Sequence, residues 1–312
     1  MSSIICITGP TAAGKSASVL ALKDYYPIEI INVDSATIYR QMDIGTAKPS
    51  QDEQRQCPQH LLDIKDPSES YSVAAFVQDC ETLITEIQNR GHIPILVGGT
   101  MMYYKALKDG IDDLPEANQA IRKTITDTAL EQGWAYVHKQ LESLDPITAA
   151  RLSPNDSQRI QRAIEVCLLT GKPMSSLLGK EKKSTHQYQL ISLEPSDRGL
   201  LHQRIEKRFD QMLEMGFLDE VQALWQRGDL NADLPSIRCV GYRQIWGYLN
   251  QEYSLEYARE LGIIATRHLA KRQMTWLRSY KDRHIIDCLS PDVVSSVVQQ
   301  VHHLLNSDNK EF

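Results

Sequence analysis

Residues 4 to 16 read IICITGPTAAGKS: a β-branched run, then Gly9, Gly14, Lys15 and Ser16 at the spacing G-x-x-x-x-G-K-[ST]. The run predicts a short strand, and SASVLALK (16–23) predicts a helix directly behind it, the context that this pattern requires. Such a chain must turn sharply between strand and helix, and its glycines let backbone N–H groups converge on an anion. Gly9, Pro10, Thr11, Ala12, Ala13, Gly14, Lys15 and Ser16 are therefore the predicted cradle for a di- or triphosphate. Lys15 adds a positive charge, Ser16 is the candidate Mg²⁺ ligand, and the helix N-terminus adds its dipole.

An ATP-splitting loop of this kind needs a second acid on a hydrophobic strand to help hold Mg²⁺. IEIINV (28–33) runs straight into Asp34, which is one candidate. The other strong apolar run, IPILV (93–97), ends in Gly98-Gly99-Thr100 without a carboxylate. Asp34 opens SATIYRQMDIGTAKP, rich in hydroxyl and aromatic groups and more like a substrate pocket than a nucleotide switch. The loop says phosphate, not necessarily ATP. A small-molecule kinase with ATP in the loop and Asp34 on Mg²⁺ stays open at this point.

With 312 residues the chain can hold one large domain with a second one inserted. No apolar run approaches the roughly 18 residues of a membrane span. The first strand begins within a few residues of Met1, which leaves no room for a signal peptide and makes the cytoplasm the expected compartment. The six cysteines are scattered without a Cys-x-x-Cys pair, so free thiols and no zinc are expected. The net charge of −6 argues against general nucleic-acid affinity, but it averages over the chain and leaves local basic patches open.

The expected fold class is α/β: a parallel sheet flanked by helices, like that of the P-loop NTPases, with a helical insertion domain. Residues 1–111 form the first part of the core, 112–187 the insertion and 188–312 the second part with basic C-terminal helices. In the insertion Asn155-Asp156-Ser157 predicts an N-cap, and Gly171 with Pro173 stops the helix that follows. A basic loop (179–187) leads to a strand over 188–194. Helices then follow over 200–215, 218–226 and 255–280. HIIDC (284–288) is a final strand, 293–305 a last helix, and 307–312 a frayed tail.

Between Gly262 and Arg283 stand Arg267, Lys271, Arg272, Arg278, Lys281 and Arg283 against one acid, Asp282. Arg267, Lys271 and Arg278 share a helix face, with Leu269, Gln273 and Trp276 on another. A solvated charged face would look the same. Two more basic segments, Gln158-Arg159-Ile160-Gln161-Arg162 and Arg238 with Gly241-Tyr242-Arg243, favour a track for an RNA backbone.

With these segments the chain resembles the tRNA dimethylallyltransferase family. The resemblance spans nearly the whole chain and rests on GPTAAGKS (9–16), DSATIYRQMDIGTAKP (34–49), HLLDIKDPSESYSVAAF (60–76), GGTMMYY (98–104), QRIQRAIEV (158–166), RIEKRFDQMLEMGF (204–217), RCVGYRQ (238–244) and TRHLAKRQMTWLR (266–278). It implies that dimethylallyl diphosphate occupies the loop, and that the acceptor is the exocyclic amine of the adenosine at nucleotide 37 of the anticodon loop. It implies Asp34 as general base, Lys15 and Arg208 as charges facing the leaving diphosphate, and Thr100 with Thr11 as hydrogen-bonding groups of the pocket. The adenosine would be extruded into a channel between core and insertion. The tRNA contacts it implies are Asp34, Ser35, Ala36, Thr37, Thr100, Arg122, the segment Gln158 to Arg162, then Arg238, Cys239, Val240, Gly241, Tyr242 and Arg243, and finally Lys271, Arg272, Gln273, Met274, Thr275, Trp276, Leu277 and Arg278. Mg²⁺ is the expected cofactor, the anticodon stem-loop of tRNA the expected partner, and a monomer the expected state. A prenyltransferase acting on free adenine nucleotides, and a non-catalytic RNA-binding protein, are the remaining alternatives.

Overall fold

The computed structural model describes residues 3–112, 114–179 and 186–308. Most of the basic loop 179–187 and of the tail 307–312 lies outside them. The chain divides into two compact units, Met1–Lys108 with Thr185–Phe312, and Asp109–Ser184.

In the first unit six strands form one sheet: β1 (Ile4–Thr8), β2 (Ile28–Val33), β3 (Gln59–His60), β4 (Ile93–Gly98), β5 (Tyr188–Glu194) and β6 (His284–Asp287). Their order is β3-β2-β4-β1-β5-β6, and every pairing is parallel. The apolar runs lack alternation because both sheet faces are buried, as parallel sheets require. Ile4 and Cys6 of β1, with Ile31 and Val33 of β2, pack under the helices 73–89 and 101–109. Ile5 and Ile7, with Ile28 and Ile30, face the opposite layer, where Val19 and Leu22 meet Val297 and Val301 of the helix Val293–Asp308. A third core joins Ile38, Tyr39 and Met42 to the helices 198–214, 217–226, 242–249 and 255–277. Among the described residues no helix is long and apolar enough to cross a membrane.

Glu29 is a charged residue inside β2, only 3% exposed. Arg90 grips it twice (2.9 and 2.8 Å), and His60 Nε2 (2.6 Å) and His92 Nδ1 (2.8 Å) also bond to it. The Arg90 bonds, then those of the two histidines, outweigh burial and hold its carboxyl down to about 2.

The second unit is helical, with helices over 119–132, 134–144, 146–151 and 157–170 around Val137, Leu141, Ile160 and Ala163. Asp156 caps the last helix by accepting from Arg159 N–H, and Gly171 closes it in the left-handed region at φ 67°. Buried Glu165 accepts from Arg122 Nε (2.8 Å), Arg162 (2.6 Å) and Asn118 N–H (2.7 Å). Burial alone would raise its pKa, but the two guanidinium groups outweigh that and hold the carboxyl below the usual range.

Candidate active site

The C-terminal ends of β2, β4 and β1 lie side by side, and in an open parallel sheet that edge is where ligands bind. The phosphate loop leaves β1 there. A Cβ on Gly9 would stand 2.6 Å from the carbonyl oxygen of Leu193 on β5, so only glycine lets the loop pass that strand. Gly14, at φ 79°, is the N-cap of the helix Lys15–Leu20. Lys15 Nζ donates to the carbonyls of Gly9 and Pro10, each at 3.0 Å. An ammonium has three N–H groups, so one is left for an incoming anion. Ser16 stands exposed in the first turn of the helix.

Asp34 follows β2 directly. Its Oδ1 accepts from Ala36 N–H at 2.8 Å, which folds the chain back and aims the carboxylate. Thr100, just past β4, receives Ser35 N–H on its hydroxyl oxygen (3.0 Å) and donates its own N–H to Val33 O (3.1 Å). The two turns can sit this close because Gly98 has no side chain: a Cβ there would lie 2.0 Å from Val33 O.

Arg208 reaches the same place from the helix Arg198–Glu214, and Lys15, Asp34 and Arg208 lie in one another's fields. Burial pushes the Lys15 ammonium down to about 8; Asp34 opposes the drop and Arg208 adds to it. Burial raises the Asp34 carboxyl, against the Ala36 N–H, Lys15, the Thr37 N–H and Arg208. Burial lowers Arg208, and Asp34 opposes it. A raised carboxyl is a stronger base than a free one, and a lowered ammonium loses its charge earlier as pH rises. The pH profile of kcat/KM for the diphosphate substrate should therefore fall on the alkaline side from about pH 8, where free Lys15 deprotonates. It should fall again in acid as Asp34 takes a proton. Lys15→Arg should remove the alkaline limb; its persistence in that variant would assign the limb to another group.

Tyr103 and Cys239 stand beside Asp34, with Tyr39 next to both of them, and residue patterning alone does not single out the two tyrosines. Tyr39 and Tyr103 are 2% and 3% exposed, so both belong to the walls rather than the surface. Tyr103 is stacked on Phe76 with ring centroids 3.9 Å apart. The signal for Tyr103 lies in two segments, SYSVAAF and GGTMMYY, whose aromatics Phe76 and Tyr103 meet only in three dimensions, whereas Tyr39 belongs to the 34–49 segment. Burial, with Asp34 adding to it, pushes the Cys239 thiol up to about 12, which makes it an inert neighbour.

The segments expected at the tRNA divide by orientation. Ser35, Arg243, Lys271, Arg272, Thr275 and Arg278 are exposed in the first unit, as is Arg238. Thr37, Gly241, Tyr242, Gln273 and Leu277 are buried, and Ala36, Cys239, Val240, Met274 and Trp276 half-buried. Tyr242 spends its hydroxyl on Glu220, whose carboxylate also accepts the N–H groups of Asp43, Ile44 and Gly45 at 2.9, 2.7 and 3.1 Å. That one acid ties the 34–49 loop to the 238–244 segment. In the second unit Gln158 and Arg159 are exposed and Ile160 is core. Gln161 bonds to Thr126 (2.9 Å) and the Arg122 carbonyl, while Arg122 and Arg162 are held by Glu165.

The basic stripe also thins. Arg267 pairs with Glu206 (3.0 Å) and Arg283 with Glu194 (2.6 Å), acids on distant elements. Lys271, Arg272 and Arg278 have no ion-pair partner among the described residues. Neutralising Lys271 and Arg278 together should weaken tRNA binding and flatten the slope of log affinity against log salt by about one to two units. An unchanged slope in the folded double variant would make the stripe an ordinary solvated face.

A phosphate loop beside one strand-end carboxylate and two half-buried cations suits a transferase of the phosphate-loop fold. The chain belongs to the tRNA dimethylallyltransferase family. The family model described as IPP transferase matches residues 37–280. The tRNA dimethylallyltransferase of Bordetella petrii is 58% identical over 306 residues, covering 97% of this chain and 98% of that one. That of Janthinobacterium sp. (strain Marseille) is also 58% identical, covering 96% of each. The full-length tRNA isopentenylpyrophosphate transferase of Bacillus halodurans superposes with a TM-score of 0.73 at 35% identity, over 99% of each chain. A eukaryotic dimethylallyltransferase solved acting on tRNA gives a TM-score of 0.81 at 26% identity, over 100% of this chain and 80% of that one.

Proposed function

We propose that this chain transfers the dimethylallyl group of dimethylallyl diphosphate to the exocyclic amine of adenosine 37 in the tRNA anticodon loop, releasing diphosphate. The observation that carries the proposal is that Lys15 of the phosphate loop, Asp34 at the end of β2 and Arg208 act on one another electrostatically, beside a loop whose lysine keeps one N–H group for an anion. In the reaction the bond from the allylic carbon to the diphosphate oxygen breaks, and a bond from that carbon to the adenine amine forms. Negative charge grows on the leaving oxygen, where Lys15, Arg208 and the loop N–H groups stabilise it. The amine sheds a proton to Asp34 as it gains the carbon. Thr100 holds the turn that carries Asp34. The adenosine leaves its stack to reach the pocket, at a cost of a few kcal/mol.

The donor set suits Mg²⁺ brought in with the diphosphate. Ser16 offers a hydroxyl, and among the described residues no group of three His, Cys, Asp or Glu could hold a metal alone. Ser16 would help to hold the ion, which would supply positive charge to offset that of the departing diphosphate.

Diphosphate release separates this reaction from a kinase. Enzyme, tRNA and dimethylallyl diphosphate should release diphosphate, and ATP in place of the prenyl donor should yield none. Steady ATP hydrolysis without tRNA would overturn the proposal.

A further inference from the structure

We propose that Gln273 is a positioning residue for the diphosphate pocket, held there by the helix whose outer face meets tRNA. The inference rests on the reading above of that helix and of the phosphate loop. The helix Leu255–Leu277 and the residue after it present Lys271, Arg272, Thr275 and Arg278 to solvent, while Gln273 is 7% exposed and turned inward. Its Oε1 accepts from Thr11 N–H and its Nε2 donates to Gly99 O, both at 2.9 Å. Thr11 lies inside the phosphate loop, and Gly99 directly precedes Thr100. One planar amide therefore fixes the spacing between the turn that grips the leaving group and the turn that supports Asp34.

The chemistry of the position is narrow. A carboxylate could accept from Thr11 but not donate to Gly99, and an ammonium or guanidinium could do only the reverse. The fit leaves no slack: a Cβ on Gly99 would stand 2.3 Å from Gln273 Nε2. Bonds so buried cost most when one partner is removed and the other is left unmet. Releasing Thr11 N–H lets the loop relax, and a relaxed loop no longer presents its remaining N–H groups as a set.

The test uses the full chain with Gln273→Met, which keeps the length and loses both bonds, and Gly99→Ala, which displaces the amide without altering it. Three quantities are read: KM for dimethylallyl diphosphate, Kd for inorganic diphosphate, and Kd for a labelled anticodon stem-loop without the prenyl donor. Gln273→Met should raise the first two by about tenfold or more and leave the third within about twofold. Gly99→Ala should behave alike, and the double variant should be no worse than the poorer single one, because both remove one bridge. Weaker stem-loop binding with an unchanged diphosphate Kd would make Gln273 an RNA contact and overturn the inference. Equal losses in all three, or none, would reduce it to a general packing residue and overturn it too. If Gln273→Met does not fold, Gly99→Ala alone decides by the same criteria. Failure of the wild-type protein to transfer the prenyl group would count against the proposed function, while the inorganic diphosphate Kd still reports on Gln273.

Discussion

Asp34→Asn is expected to lower the rate of prenyl transfer by about 10²- to 10⁴-fold, the range associated with losing a positioned base. Asparagine keeps the shape and can still accept Ala36 N–H through its carbonyl oxygen, so the turn after β2 should persist. Affinity for tRNA should change far less than turnover, which rapid-mixing single-turnover kinetics and equilibrium binding measure separately. Equal losses in both would make Asp34 mainly an RNA contact. The raised Asp34 carboxyl belongs to the same account, since burial that disfavours its charge also strengthens it as an acceptor of the amine proton.

Lys15→Ala should cost about 10²-fold or more in rate, on the scale of removing one electrostatic stabiliser from a water-poor site. The loop's turns should survive, because Gly9 and Gly14 set them, although the Gly9 and Pro10 carbonyls lose the bonds from Lys15. The loss should appear in turnover more than in tRNA binding. A variant that keeps wild-type turnover would remove the loop charge from the mechanism.

Much of the core is readable from the chain because its signals are local. IEIINV and YQLISLE are β2 and β5 to the residue, since a short apolar run with few helix signals, bounded by turn residues, leaves little choice. The Gly171 helix stop is legible for the same reason: a left-handed position favours glycine. Arg208 is different. It comes from family resemblance, and only the fold carries it from a distant helix to Asp34. The basic stripe is stronger in the sequence than in the fold, because charges can be counted along a helix while their partners cannot. Glu206 and Glu194, which neutralise Arg267 and Arg283, sit on other elements. Glu220 is invisible for the opposite reason: an acid in an amphipathic helix reads as solvated surface, yet here it gathers three backbone N–H groups of an irregular loop. Helical periodicity places Gln273 on the inward face and resemblance gives it an RNA role; the structure supports the first.

The central claim is that the loop delivers a prenyl diphosphate to one adenosine of tRNA. It is tested most directly by incubating the protein with dimethylallyl diphosphate labelled in the prenyl carbons and unmodified tRNA, then digesting the RNA and mapping the label. The account predicts label on the amine of the adenosine immediately 3′ of the anticodon, none on AMP offered in its place, and none with Lys15→Ala over the same interval. Label on free AMP at a comparable rate, or on tRNA at another nucleotide, would contradict it.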